Sequence, residues 1–289
     1  MTRVRLVWTS VALLGATGLV GTVIMRSTPK PASHIVSLAE RQVTAVRQAL
    51  FDELRPVTLR NCEMQRFGEA HDGGYLLCRN LLGGVAAGYS YGISGYDGWG
   101  CDVSTRLRVP VHRYDCFDTR QPVCAGDTTM HAECIGPTPA IVDGRPFDTL
   151  ERQIAATGHG SSRVVVKVDV EGAEWDAFLG ASDRVLERID QLAVEFHRVD
   201  DVKYLLAVQR LKRFFHVANL HINNHSCQPG LEPFPGWAFE VLFVAKRLAE
   251  VDPSAPPRQL FHQLDTPNTL AVPDCQPDAP IAVTGAVGP

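Results

Sequence analysis

The sequence lacks the features that mark several large classes of protein. It has no internal repeat, and its 45% hydrophobic and 21% charged residues are typical of a globular protein, which excludes a fibrous or wholly disordered chain. Positive and negative charges nearly balance, with 28 Lys and Arg, 32 Asp and Glu, and a net charge of −4 over 289 residues. This balance provides no positive field for nucleic acid, so we expect no nucleic-acid partner.

The eight cysteines show neither a C-x-x-C pair nor zinc-finger spacing, which excludes a zinc finger and a thioredoxin-like redox motif. An even number of dispersed cysteines instead predicts several disulfides in an oxidising compartment. The alternative is a set of buried free thiols, which behave as small hydrophobic side chains. The local pairs that we predict are Cys62 with Cys78 and Cys124 with Cys134, while other connectivities stay open.

One long uncharged run is present, residues 6–25, and its 20 residues are enough to span a bilayer. We predict an uncleaved single-pass membrane anchor; a cleaved signal peptide is the alternative. Arg3 and Arg5 precede the run, and Arg26 and Lys30 follow it, so flanking charge does not decide the orientation. The cysteines favour a body outside the cytoplasm, in a Golgi-like lumen or a periplasm.

The remaining sequence divides into three parts behind an anchor and flank at residues 1–30. Residues 31–57 contain apolar positions at spacings of three and four, with Ser37 and Glu40 at the spacing of a capping box, which predicts an amphipathic stalk helix that packs on the body. Residues 58–250 form the main domain. Residues 251–289 hold 8 of the 19 prolines and are predicted to be largely irregular, with Cys275 available as a tether.

Strand-like and helical patterns alternate through the main domain. Strands are predicted at 88–94, 111–116, 164–170 and 192–197, with helices at 102–108, 173–179 and 201–215. This alternation indicates an α/β fold with a doubly wound, mainly parallel, Rossmann-like sheet. The last two strands, 217–222 and 238–245, are joined by a loop without a helical pattern, which predicts an antiparallel hairpin at the edge.

Ligands of open parallel sheets bind at the carboxyl ends of the strands, so functional residues are expected there. After the first strand, residues 92–100 form a glycine-rich turn that includes Gly92 and Ser94, where the backbone can approach a cofactor closely. The turn lacks the G-x-G-x-x-G spacing, and an ordinary turn is the alternative. Asp115 lies 23 residues after Gly92 and is placed to bind a ribose diol.

Other interpretations of this region stay open. Asp115 could cap a helix or pair with Arg113, and Asp118 competes for the role of ribose ligand.

The stretch 164–175 is the most informative in the sequence. A buried strand there is followed by a glycine with three acidic residues around it, namely Asp169, Glu171 and Glu174. One helix cap requires only one of them. Lys167 lies within the strand and needs a partner if it is buried. We therefore predict a functional site at this strand end.

Glu195 and His197 end the next strand and, being two residues apart, point to the same face. They could act as an acid/base pair or as ligands of a hard metal ion, and a structural hydrogen bond between them is the alternative. His221 and His225 could join such a metal site, although we assign no metal ligands.

Residues 167–174, Lys-Val-Asp-Val-Glu-Gly-Ala-Glu, resemble the K-x-D-V-E-G-x-E signature of FkbM-type methyltransferases, a class I family that depends on S-adenosylmethionine. Asp72-Gly73-Gly74-Tyr75 and the segment 91–94 resemble the D-G-G-Y segment and the cofactor turn of the membrane-associated branch of that family. Segments 191–197 and 237–244 are similar to its later strands. The resemblance covers roughly residues 58–247.

The resemblance implies a Rossmann-like sheet with an antiparallel strand at one edge, and methyl transfer to the hydroxyl of a sugar or small molecule. It implies that the cofactor is bound by Asp72, Gly73, Gly92, Ser94, Asp115 and Asp169. It also implies that Asp169 and Glu171 face the reaction centre. Segment 95–98 departs from the usual E/D-x-G-x-G-x-G loop, which leaves the cofactor contacts open.

An unactivated hydroxyl must lose its proton during transfer, and Glu195, His197 or Asp169 could accept it. We place His197 first, because an imidazole is half neutral near physiological pH. Glu171 is then available to position the acceptor. A divalent ion held by the same residues is a further possibility.

Two other classes of function stay open. A binding or scaffold protein outside the cytoplasm could keep this fold without catalysis, and a nicotinamide-dependent oxidoreductase could use the glycine turn and Asp115. The predicted partners are a small-molecule or carbohydrate acceptor and a membrane, and the oligomeric state is left open. Because S-adenosylmethionine is made in the cytosol, either the compartment imports it or the body is cytosolic with reduced thiols.

Overall fold

The structure is a computed structural model that describes residues 37–256 and 262–275. The predicted anchor at residues 6–25 lies outside the described residues. Within the described ranges, no helix combines the length and the apolar character needed to cross a membrane.

The described ranges contain twelve strands and six α-helices. The strands are β1 (Met64–Phe67), β2 (Tyr75–Cys78), β3 (Ala87–Tyr91), β4 (Val111–Tyr114), β5 (Thr128–His131), β6 (Cys134–Ile135), β7 (Ala140–Val142), β8 (Arg145–Asp148), β9 (Val164–Asp169), β10 (Ile189–His197), β11 (Phe215–Ile222) and β12 (Ala238–Ala245). The helices are α1 (Leu38–Glu53), α2 (Gly98–Leu107), α3 (Leu150–Ala156), α4 (Glu174–Gly180), α5 (Asp183–Leu186) and α6 (Val202–Leu211).

The central sheet has seven strands within the described residues, in the order β11-β12-β10-β9-β3-β4-β5. Strands β10, β9, β3, β4 and β5 pair in parallel, whereas β12 is antiparallel to both of its neighbours. The predicted α/β class, the mainly parallel sheet and the antiparallel β11–β12 hairpin are thus confirmed. The antiparallel strand β12, however, lies one position inside the edge, and β11 is the edge strand.

The chain reverses its direction of travel across the sheet at β3. It runs from β3 to β4 and β5 toward one edge and then returns to β9, which pairs with β3 on the other side. The carboxyl ends of β3 and β9 therefore flank the topological switch point, where ligands of open α/β sheets bind.

Apolar periodicity explains the central elements. All nine residues of β10 and the first five of β9 are buried, as expected for strands covered on both faces. The predicted amphipathic helix is present as α1. Its capping box is formed, because the Ser37 hydroxyl accepts from the Glu40 amide and the Glu40 carboxylate accepts from the Ser37 amide. Its last turns bury Leu50, Phe51 and Leu54 in the main core.

Two small sheets were not predicted from the sequence. Strands β1 and β2 form an antiparallel hairpin that packs near β10 and β12, and β6, β8 and β7 form a three-stranded sheet. The tail also packs on the body, because His71 Nδ1 lies 2.8 Å from the Pro267 carbonyl oxygen and the Asn224 side-chain amide donates to the carbonyls of Thr269 and Val272.

All eight cysteines lie in the described ranges and form disulfides: Cys62–Cys78, Cys101–Cys124, Cys116–Cys134 and Cys227–Cys275. The predicted pair Cys62–Cys78 is confirmed, and so is the tether of Cys275. The predicted pair Cys124–Cys134 is wrong, since the fold brings Cys124 to α2 and Cys134 to the segment after β4. Four disulfides indicate an oxidising, extracytoplasmic location.

Candidate active site at the carboxyl ends of the central strands

The glycine turn and the acidic strand end meet at the switch point. Gly92 follows β3 with φ +72°, and a Cβ atom at this position would lie 1.6 Å from the Asp169 carbonyl oxygen. No side chain fits there, so glycine is required for β3 and β9 to end side by side. The sequence prediction that placed Gly92 and Asp169 in one site is consistent with this contact.

Asp115 holds the glycine turn from the next strand. Its Oδ2 accepts from the amides of Ile93 (3.1 Å) and Ser94 (2.8 Å), and its Oδ1 accepts from those of Phe117 (2.8 Å) and Asp118 (3.0 Å). A carboxylate offers about four lone-pair sites, and these four bonds use them. In this geometry Asp115 is a clamp between two loops, and this bonding leaves no lone pair free for a ribose.

Two neighbours bear on the role of Asp115: Arg113, its suggested partner, and Asp118, its competitor for the ribose, and the side chains of both pair with other residues. Arg113 pairs with Asp97, not with Asp115, through a buried contact of 2.8 Å between Nε and Oδ2. Asp118 pairs with the exposed Arg120, whose hydrogen bonds lower the pKa of Asp118 to about 2. Asp118 is therefore an ionised carboxylate beside the turn, held by a partner that solvent can replace.

Lys167 finds the partners that its burial requires. Its ammonium donates to the Gly92 carbonyl at 2.8 Å and lies 3.2 Å from Asp169 Oδ2. The Tyr75 hydroxyl lies 3.1 Å from the same Asp169 oxygen and 3.4 Å from Glu195 Oε2. Tyr75 thus bridges the carboxyl groups of Asp169 on β9 and Glu195 on β10.

A row of ionisable side chains crosses four adjacent strands. Asp169, Glu195, Glu240 and His221 are register partners on β9, β10, β12 and β11, so their side chains share one face of the sheet. Glu195, Glu240 and His221 are buried. Burial is the largest cause that raises the pKa of Glu240 to about 8 and the pKa of Glu195 well above its usual value.

His197 lies between two acids of the signature. Its Nδ1 is 3.2 Å from Glu174 Oε1, and its Nε2 is 3.4 Å from Glu171 Oε2. Burial alone would lower the pKa of His197, but the hydrogen bond to Glu174 and the nearby carboxylates more than offset it and raise the pKa to about 9. The imidazole is therefore mostly protonated at neutral pH, and the premise that it is half neutral does not hold in this structure.

Glu174 acts as a buried connector. Besides His197 Nδ1, its carboxylate contacts the backbone amides of His197 and Gly172, accepting from both at 2.8 Å. Glu171, in contrast, has φ +56° and an 84% exposed side chain. One acid thus fixes the ends of β9 and β10, while the other is presented to solvent.

Among the described residues, Asp169, Glu171 and His197 each place one ligand atom within 4.8 Å of the others. Two carboxylates and an imidazole could hold a divalent cation. His221 and His225 do not join this group: His221 is buried with its Nδ1 3.8 Å from Glu240 Oε2, and His225 is exposed.

The D-G-G-Y segment reaches the site through its tyrosine. Asp72 is bonded to Asn268 of the tail, through its amide and its carboxylate, each at 3.2 Å, and Gly73 lies beside it with φ +81°. From the sequence, Tyr75 and Glu174 received no individual role, and Asn223 and Glu240 were not predicted as site residues. Tyr75 and Glu174 belong to quoted motifs, whereas Asn223, which donates to Glu195 at 2.7 Å, and Glu240 become site residues only through the register of β11 and β12.

Comparison of the chain with protein-family models gave no match, and comparison with curated proteins gave none either. The geometry of the site must therefore indicate the function. Its features are a glycine turn at the switch point, three carboxyl groups in one row, a buried lysine and a histidine whose pKa is raised by neighbouring carboxylates.

Proposed function

We propose that the chain is a class I S-adenosylmethionine-dependent methyltransferase that methylates a hydroxyl oxygen of a sugar or small molecule. The observation that carries the proposal is the meeting of the Gly92 turn and Asp169 at the switch point of a sheet whose last strand, β12, runs antiparallel between β10 and β11. The likeness of residues 72–75 and 167–174 to FkbM-type motifs supports the same function. A Rossmann-like fold is part of this proposal.

The residues around the turn fit such a cofactor. Gly92, Ser94 and Gly95 all have positive φ, so the backbone curves around the end of β3 and can approach a ligand closely. Because the amide clamp uses the Asp115 carboxylate, we assign the ribose to Asp118, and Asp115 shapes the turn. The resemblance assigns Asp72 and Gly73 to the cofactor, but Asp72 is bonded to Asn268, so the proposal gives these two residues the role of positioning Tyr75.

S-adenosylmethionine supplies a methyl group on a sulfonium, whose C–S bond breaks as the C–O bond to the acceptor forms. The chain must orient the acceptor and take up its hydroxyl proton. Asp169 is the first proton acceptor, since it is ionisable and only partly buried at the mouth of the site, and such a base contributes about 10²–10⁴-fold. Glu195 extends the carboxyl row behind it, while the His197 imidazolium and Glu171 hold the acceptor.

The proposed location of the protein rests on its disulfides and on the long uncharged run near its N-terminus. The disulfides indicate an oxidising compartment, and we propose that residues 6–25 anchor the chain in the membrane of that compartment. The body would then lie in a lumen or periplasm that imports S-adenosylmethionine.

The test is calorimetric titration of S-adenosylmethionine and S-adenosylhomocysteine into the full chain with its disulfides intact. We expect micromolar binding that Asp118→Asn weakens about tenfold, equivalent to about 1.4 kcal/mol. Asp127→Asn is the matched control, because Asp127 is an exposed aspartate that lies before β5, at the opposite end of the sheet.

Absence of binding to a folded chain would contradict the proposal. A parallel titration with NAD⁺ would then separate a nicotinamide-dependent enzyme from a binding protein without a nucleotide cofactor.

A further inference from the structure

Trp237 is an exposed indole at the edge of the candidate site. Among the described residues, Trp99 and Trp175 are 0% exposed, whereas Trp237 is 39% exposed. Burying a large aromatic side chain stabilises a fold by about 1.5–3 kcal/mol, and an exposed one forgoes part of that gain. An indole left open beside ionisable side chains can contact a ligand through both its apolar ring and its N–H group.

The position of Trp237 is fixed by its backbone and not by its ring. Its carbonyl accepts from the Arg198 amide at 2.6 Å, and its amide donates to the Ser226 carbonyl at 3.3 Å. Next to these bonds, Cys227 pairs with Gly236 in a β-bridge and is joined to Cys275 by a disulfide. The ring is thus presented from a rigid frame, which reduces the entropy lost on binding.

The ring lies beside the polar side chains of the site. Its centroid is 6.0 Å from that of the His197 ring, with 38° between the planes, and His197 Nε2 lies 3.4 Å from Glu171 Oε2. A ligand in contact with the exposed part of the indole would therefore have an apolar surface on one side and the His197, Glu171 and Asp169 groups nearby.

We propose that Trp237 determines acceptor specificity by stacking on a hydroxylated ring, whose hydroxyl groups face His197, Glu171 and Asp169. The inference rests on the proposed function, because it takes these acids as the place of methyl transfer. A pyranose and a phenolic ring share the required chemistry, namely a flat face of carbon atoms with hydroxyl groups at its edge. An acyclic polyol offers the hydroxyl groups without a flat face of carbon atoms.

The experiment uses the full chain with its disulfides intact, both ligand-free and saturated with S-adenosylhomocysteine. The probes are methyl α-D-glucopyranoside, catechol and glycerol, titrated by calorimetry and by tryptophan emission. Trp237→Phe keeps a ring and Trp237→Ala removes it. Leu206→Ala is the control for loss of an exposed apolar side chain, since Leu206 is 51% exposed on α6.

We expect at least one ring probe to bind about tenfold more tightly than glycerol, in line with an aromatic contact. Trp237→Ala should abolish this preference, while Trp237→Phe and Leu206→Ala retain it. Preference for the glucoside or for catechol identifies which ring chemistry the site takes.

Equal binding of glycerol and both rings, absence of ring binding, or an unchanged preference in Trp237→Ala would overturn the proposal. Absence of S-adenosylhomocysteine binding would instead contradict the proposed function, and the titrations on the ligand-free chain would still decide the role of Trp237.

Discussion

Asp115 and Glu195 are both carboxylates at the carboxyl ends of parallel strands, and the sequence alone gives them similar functional weight. Asp115 accepts from the four backbone amides of Ile93, Ser94, Phe117 and Asp118. Glu195 accepts from the Asn223 side-chain amide, has the Tyr75 hydroxyl at 3.4 Å, and lies between Asp169 and Glu240 in the carboxyl row.

The difference shows what separates a structural acid from a chemically useful one. Hydrogen bonds from several backbone amides stabilise an ionised carboxylate, whereas burial next to like charges disfavours ionisation. The pKa of Glu195 is accordingly raised by burial, by Asp169 and by Glu240. The amides around Asp115 hold the two loops in place. Glu195 has few hydrogen-bond donors around it and is buried, so it stays protonated to a higher pH than an ordinary carboxyl group.

Gly92 lies between these two regions, and a substitution there should reduce the free energy of unfolding most. In Gly92→Ala the new Cβ would lie 1.6 Å from the Asp169 carbonyl oxygen at φ +72°, so β3 and β9 must separate. We expect the free energy of unfolding to fall by about 5 kcal/mol or more, measured by urea denaturation.

Gly73→Ala is the matched control. Gly73 has φ +81°, but no atom lies within 4 Å of the position that a Cβ would take, so only the backbone conformation is strained and the loss should be about 1–2 kcal/mol. Equal losses in the two variants would show that contact between the strand ends is not what requires glycine at position 92.

Asp115→Asn tests the clamp. An amide offers one oxygen in place of two, so we expect two of the four amide bonds to be lost, together with about 3–4 kcal/mol of the free energy of unfolding. Asp118→Asn alters an ion pair with the exposed Arg120, which water screens, so it should leave the free energy of unfolding nearly unchanged. If thermal and urea denaturation gave the two variants the same stability, Asp115 would be no clamp.

Local patterns account for what the sequence predicted correctly. The capping box of Ser37 and Glu40 involves residues three apart, and the buried residues of β9 and β10 form nearly continuous apolar runs. Such features are decided within one element, so they can be predicted without knowledge of the fold. The antiparallel β11–β12 hairpin was predicted from the same kind of local evidence, the absence of a helical pattern between two strands.

The missing parts of the site depend on pairing between distant segments. Glu240 faces Glu195 only because β12 inserts between β10 and β11, and Tyr75 reaches Asp169 only because the β1–β2 hairpin covers this part of the sheet. The predicted pair Cys124–Cys134 was wrong for the same reason, because the fold pairs Cys124 with Cys101 and Cys134 with Cys116. Spacing along the chain carries no information about these contacts.

Glu240→Gln tests the other side of the comparison. The pKa of Glu240 is raised by burial from 4.5 to about 8, so the folded chain binds more protons than the unfolded chain between these values. Its contribution to stability is present below pH 4.5 and is lost as the pH rises through 8. In the parent chain the free energy of unfolding should therefore decline between pH 4.5 and pH 8, and Glu240→Gln should reduce that decline by about 2–4 kcal/mol, measured by denaturation from pH 4 to pH 9. The control Glu187→Gln, at an exposed residue, should leave the decline unchanged.

His197 provides the smallest effect and the most direct readout of the acid cluster. Its pKa is raised to about 9 because the bond to Glu174 and the nearby carboxylates outweigh burial, so its contribution to stability is present below pH 6.5 and is lost as the pH rises through 9. Since burial offsets part of the attraction between the imidazolium and the carboxylates, we expect this contribution to be about 1–2 kcal/mol.

NMR titration of the His197 ring should give a pKa near 9 in the parent chain and in Glu171→Gln, because Glu171 is 84% exposed and screened by water. A pKa near 6.5 would return His197 to the role of general base, and a large shift in Glu171→Gln would place the controlling charge at the solvent edge instead of at the buried Glu174.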